Sequence, residues 1–148
     1  DDIHDILDHL IDLGLVDGER VGLYGGSYGG FMTLLCMTKG ADVYNAGISV
    51  APVTNWRYYD TIYTERYMRT PQTNAEGYAA TNLIEKAGQI RAAPLLIHGL
   101  ADTNVHLQNT VNFIEALEAE LGRAEERGRA AALARDAQLE RHQLVFCP

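Results

Sequence analysis

The chain has 148 residues, 47% of them hydrophobic and 22% charged, which is the make-up of one ordinary globular domain or part of one. Its 12 basic and 20 acidic residues leave a formal charge of −8, which argues against a binder of nucleic acid or of anionic membrane, since both need a cationic face. No apolar run reaches the roughly 18 to 20 residues of a membrane span, and Cys36 and Cys147 alone make no disulfide framework.

The first residues, Asp1-Asp2, and a first basic residue at Arg20 do not form a signal peptide, so the start reads as internal to a longer protein. Residues 1–19 hold seven acids and no Lys or Arg. Here Ile3, Ile6, Leu7, Leu10 and Ile11 recur at helical spacing between Asp1, Asp5, Asp8 and Asp12, which predicts an amphipathic helix with one buried stripe. Gly14 and Asp17-Gly18 end it in a turn. Val21–Tyr24 reads as a short strand, Phe31–Met37 as a buried helix and Ala46–Val50 as a second strand. Residues 51–93, rich in Tyr, Asn and Thr, read as short helices covering the sheet edge. Pro94–His98 is a third strand, apolar throughout as parallel strands usually are. Leu107, Val111, Ile114, Leu117 and Leu121 mark a helix. Residues 122–141 read as a charged Ala/Arg/Glu-rich helical insertion, a solvated arm with Gly122 and Gly128 as breakers and Glu125 and Arg129 at i,i+4 spacing. Gln143–Cys147 reads as a last strand before Pro148. Strands alternating with helices give an α/β fold with a mainly parallel sheet.

The strongest chemical signal is Gly25-Gly26-Ser27-Tyr28-Gly29, a G-x-S-x-G turn between a strand and a helix. In such an elbow the serine sits in strained backbone. Side chains at Gly25 and Gly29, two positions away on either side, would strike the strand and helix. The turn presents the Ser27 hydroxyl as a nucleophile and leaves the Tyr28 N–H at a helix N-terminus, able to donate to an oxyanion. Neither phosphate-loop pattern is present. A nucleophilic serine needs a base and an orienting acid, in the chain order Ser, Asp or Glu, His. Asp102, on the loop after the Pro94–His98 strand, fits the acid. His98, Asp102 and His106 also have i, i+4, i+8 spacing, but a metal site there would need one helix through all three, and the run reads as strand and turn.

Longer blocks carry a resemblance. Gly25–Gly30, Ala51–Asp60 (Ala-Pro-Val-Thr-Asn-Trp-Arg-Tyr-Tyr-Asp), Tyr63–Met68 (Tyr-Thr-Glu-Arg-Tyr-Met) and His98–His106 resemble the prolyl oligopeptidase family of serine peptidases, and within it the dipeptidyl peptidase IV branch. The resemblance covers residues 1 to about 121. It implies an α/β-hydrolase fold, incomplete at both ends in this chain, and release of N-terminal dipeptides with Pro or Ala at the second position through an acyl-enzyme. By that similarity Ser27 is the nucleophile, Asp102 the triad acid and Tyr28 the oxyanion donor. Tyr59 and Tyr63, with Val53, Trp56 and Val105, would line the pocket for the proline ring, and Asn104 would contact a substrate carbonyl. A flat apolar ring suits an aromatic box, and a buried peptide carbonyl needs a donor.

The chain departs from the pattern where the triad histidine is due. In the family it follows the last core strand, which places it about four residues beyond Pro148. His142 precedes that strand, His4 and His9 lie on the first helix, and His98 and His106 flank the acid loop as structural residues. The 148 residues are thus expected to be part of a catalytic domain and nearly inactive alone. The expected partners are a peptide substrate, a β-propeller domain of the same chain preceding Asp1, and a second copy in a full-length homodimer. No cofactor or metal is expected. A periplasmic, secreted or membrane-anchored location is suggested by the resemblance alone. The alternatives are an acylaminoacyl peptidase or carboxylesterase of the same fold, against which the Tyr63–Met68 block argues, and a non-catalytic pseudo-enzyme or interaction module, against which Ser27 and Asp102 argue.

Overall fold

The computed structural model describes residues 2–92 and 94–143, with residues 131–143 described through their backbone alone. Helix α1 (Asp2–Asp12) forms where the apolar residues recur. It closes on Gly14, whose φ of +68° lets its N–H reach the Ile11 carbonyl at 2.8 Å while Leu15 N–H reaches Leu10 at 3.0 Å. Its apolar stripe is only half covered. Ile3 and Leu7 rest on the small cluster of Val21, Cys36, Met37 and Tyr44, whereas Ile6 is 62% exposed, because α1 leans on this cluster and not on the main core.

Strands β1 (Gly22–Gly26), β2 (Ala46–Val50) and β3 (Pro94–Ile97) form a parallel sheet in the order β1-β2-β3. Helix α2 (Tyr28–Lys39) connects β1 to β2 and buries Phe31, Leu34, Cys36 and Met37. It lies over the face that carries buried Gly47 and Ser49. The opposite face is open among the described residues. Tyr24, Ile48 and Leu95 stand side by side across it, with Tyr24 76% and Leu95 54% exposed. Among the described residues the all-apolar β3 therefore has one covered face, not two.

Between β2 and β3 lie a 3-10 turn (Trp56–Tyr58), helices α3 (Thr61–Met68) and α4 (Ala75–Ala80), and a second 3-10 turn (Ile84–Gln89). Asn55, Asp60 and Asn74 cap the first three through their side-chain oxygens. These short elements do form, but they gather on α2 and on the start of the last helix rather than on the sheet edge. Val53, Trp56, Tyr78 and Leu83 share one core with Phe31, Leu34, Val105 and Phe113.

Helix α5 (Gln108–Gln143) runs unbroken through Gly122 and Gly128, which therefore are not breakers. Each glycine weakens a helix by about 1 kcal/mol. Each is also bridged by an ion pair along the helix, Glu120–Arg123 at 2.6 Å over Gly122 and Glu125–Arg129 at 3.3 Å over Gly128. The strand expected at Gln143–Cys147 lies outside the described residues except for Gln143, which is the last residue of α5.

Candidate active site

The three parallel strands put their carboxyl ends on one side, and each delivers one part of the site there. The elbow follows β1, the aromatic segment follows β2 and the acid loop follows β3.

Ser27 has φ +56° and ψ −116°, a backbone state that an L residue occupies at a cost of about 1–3 kcal/mol. Two features hold it there. Ser27 N–H donates to the Val50 carbonyl at the end of β2 (2.8 Å), and Ser27 C=O accepts the first helical bond of α2 from Phe31 N–H (3.1 Å). Beneath, Ser49 Oγ donates to the Gly30 carbonyl at 3.0 Å in full burial. The side chain of Ser27 makes no cap bond to the helix, so its hydroxyl stands exposed at the turn. Tyr28 opens α2, and its N–H has no intrahelical acceptor.

The glycines divide the work differently from the expectation. A Cβ on Gly25 would run into the Gly29 backbone, and one on Gly30 would sit 2.9 Å from the Val50 carbonyl, but one on Gly29 meets nothing within 4 Å. The close approaches fall at 25 and 30. Gly29 offers the backbone that Gly25 touches.

The predicted aromatic residues do come together. Trp56 is buried and stacks on Tyr63 at 6.1 Å between ring centroids, with an interplanar angle of 23°. Tyr59 meets Tyr63 edge-on at 5.4 Å, and Tyr28 lies 5.8 Å from Trp56. Between them Asp60 caps α3 by accepting Tyr63 N–H at 2.8 Å. Burial first, then the neighbouring phenols of Tyr67, Tyr28 and Tyr59, push the Tyr63 hydroxyl above its ordinary pKa and keep it neutral. A cavity of about 590 Å³ opens beside these rings, lined by Tyr28, Trp56 and Tyr63. Val53 and Val105 are buried in the core behind Trp56, and neither they nor Tyr59 and Asn104 line that cavity. Sequence reasoning missed Phe31, Tyr67 and Met68 in its wall. The i, i+4 spacing of Tyr63 and Tyr67, whose rings lie 5.1 Å apart, was the available signal.

The acid loop is a tight turn. Asp102 Oδ1 accepts the N–H groups of Asn104 and Val105, each at 2.9 Å. Those two bonds, Asn104 first, hold the Asp102 carboxyl below the usual carboxylate range. Oδ2 lies 3.6 Å from His98 Nε2. Tyr59 O–H donates to Asn104 Oδ1 at 3.0 Å, which joins the aromatic segment to the acid loop and leaves the Asn104 amide N–H groups for another acceptor. His98, Asp102 and His106 lie on strand end and turn, not on one helix.

Three comparisons bear on this geometry. A sequence model described as the prolyl oligopeptidase family matches residues 1–144. A Neurospora crassa protein named a probable dipeptidyl-aminopeptidase B is 48% identical over 114 residues, covering 74% of this chain and 12% of its own length. Its namesake in Paracoccidioides brasiliensis is 51% identical over 107 residues, covering 70% and 12%. The crystal structure of Porphyromonas gingivalis dipeptidyl peptidase 4 superposes with a TM-score of 0.70 and 49% identity, over 72% of this chain and 15% of that one. This chain thus spans about an eighth of the length of these curated relatives. The parallel sheet and its flanking helices are those of an α/β-hydrolase fold.

Proposed function

The chain belongs to the prolyl oligopeptidase family, and from that premise we propose that its 148 residues supply part of the catalytic domain of a serine dipeptidyl peptidase. The observation that carries the reading is Ser27 itself. It is held at φ +56° between a parallel strand and a helix N-terminus, with its hydroxyl exposed. A chain keeps such strain where the position is used.

In this reading Ser27 Oγ attacks the carbonyl carbon of the second residue of the peptide. Its proton passes to a histidine base, and Tyr28 N–H donates to the oxyanion that forms. The base returns the proton to the leaving amine, an ester on Ser27 remains, and water hydrolyses it. Asp102 orients the base through Oδ2, which its turn leaves without a backbone partner. Tyr63 and Trp56, which line the cavity, form the aromatic box for a proline or alanine side chain, with Tyr59 edge-on to both and Val53 and Val105 packed behind. Asn104 N–H donates to a substrate carbonyl. The base comes from the part of the relatives' length that this chain does not span, as does the β-propeller domain of the same polypeptide. A peptide is the substrate, and the full-length form pairs with a second copy.

The test is a substrate panel on the full-length protein. Gly-Pro-p-nitroanilide is expected to be cleaved, a fluorophosphonate to label Ser27, and Ser27→Ala to lower kcat at least about a thousandfold. Turnover of esters alone would overturn the dipeptidyl reading, and no labelling would overturn the enzyme.

A further inference from the structure

Resting on the reading of Asp102 as the triad acid, we propose that His98 is a positioning residue, a ring clamped by Thr110 that sets the acid loop and the direction of Asp102 Oδ2. His98 follows β3 directly, and its side chain is 2% exposed. Its Nε2 lies 2.7 Å from the Val105 carbonyl, which can only accept, so Nε2 carries a hydrogen. Nδ1 lies 2.7 Å from Thr110 Oγ1 and in the neutral ring accepts the hydroxyl proton. Both nitrogens are engaged. His98 therefore is not the base for Ser27, although it stands 3.6 Å from Asp102 Oδ2.

The clamp acts through Val105. Its C=O is held by His98, and its N–H donates to Asp102 Oδ1 at 2.9 Å. With Oδ1 fixed on Asn104 and Val105, the carboxylate plane is set, and Oδ2 is the atom left to face a base. Thr110 belongs to the first turn of α5, and its neighbour Asn109 holds the other wall of the site. Asn109 Oδ1 accepts Thr54 N–H at 3.0 Å, and Asn109 C=O accepts from Thr54 Oγ1 at 2.7 Å, all buried. Thr54 lies two residues before Trp56. Two adjacent side chains on one helical turn thus fix the spacing between the aromatic segment and the acid loop, and outer groups of this kind orient the reacting ones.

Two experiments test this. In the full-length enzyme, His98→Ala is expected to lower kcat about 10- to 100-fold with a smaller rise in KM. His98→Gln, whose amide nitrogen reaches the place of Nε2, should recover most of that loss. Thr110→Val should lower kcat and Thr110→Ser restore it. In this 148-residue chain, ring 15N NMR should show the Nε2–H tautomer, with Nδ1 shifted by Thr110→Val. Exchange of the Val105 N–H should speed up in His98→Ala and slow again in His98→Gln. The proposal is overturned by an Nδ1–H tautomer, by unchanged Val105 exchange, or by losses of kcat that vanish when each variant is assayed equally far below its own Tm. If the wild-type enzyme cleaves no dipeptide substrate, the reading of the function falls, and the NMR and exchange results still decide the clamp.

Discussion

At the scale of single residues, the elbow gives the sharpest predictions. Ser27→Gly is expected to be more stable than Ser27→Ala by about 1 kcal/mol, because only glycine occupies φ +56° freely. Both should be inactive, and urea melts separate them. Gly29→Ala should be neutral or stabilising, since its Cβ meets open space, whereas Gly30→Ala should cost about 1–3 kcal/mol against the Val50 carbonyl. The reverse ranking would show that the steric reading of the turn is wrong. Asp102 gives a prediction in pH. Its carboxyl is depressed by the Asn104 and Val105 N–H bonds, so the stability it adds is present above its ordinary unfolded value and is lost as pH falls through the depressed folded one. Asp102→Asn keeps an acceptor for both bonds but cannot titrate. Its stability should therefore fall off less steeply than that of the wild type on the acid side of pH 4, as read by thermal melts across pH.

At the scale of elements, β2 was legible to the residue, because Ile48 and Val50 alternate with small residues between clear turns. The length of α5 was not. Residues 107–121 and 122–141 each read as helical, but Gly122 and Gly128 read as breakers, and the pairs that carry one helix across them become decisive only once the helix exists. Gly122→Ala with Gly128→Ala should therefore raise helicity by circular dichroism and add about 1 kcal/mol for each glycine replaced. The grouping of Trp56, Tyr59 and Tyr63 followed from the resemblance carried by the Ala51–Asp60 and Tyr63–Met68 blocks, and the fold does bring the three rings together. The far wall of the cavity was not, because Phe31 reads equally as helix core and in fact serves both roles. His98 looked structural from its neighbours alone. Its two partners, Val105 and Thr110, lie 7 and 12 residues away in sequence and are brought to it only by the fold. Asp60→Ala removes the cap of α3, should cost about 1 kcal/mol, and should loosen Tyr63.

At the scale of the whole molecule, the sheet is covered on one side and bare on the other among the described residues, with Tyr24, Ile48, Leu95 and Ile97 exposed. Such a patch binds apolar dyes. The 148-residue chain should brighten 8-anilinonaphthalene-1-sulfonate while keeping its fold, and Ile48→Thr with Leu95→Lys should weaken that signal without moving the far-ultraviolet spectrum. Trp56 has a different consequence. It is the chain's one tryptophan, 5% exposed, wedged among Tyr28, Phe31, Tyr59 and Tyr63 with ring centroids 5.2 to 6.1 Å away. The indole emission of these 148 residues therefore has a single origin, and that origin is the pocket wall. Excitation absorbed by the four neighbouring rings drains into it. Anything that enters the box, tilts Tyr63 or lets water in changes the colour or brightness of the light, so the molecule carries its own optical gauge of the site without a label.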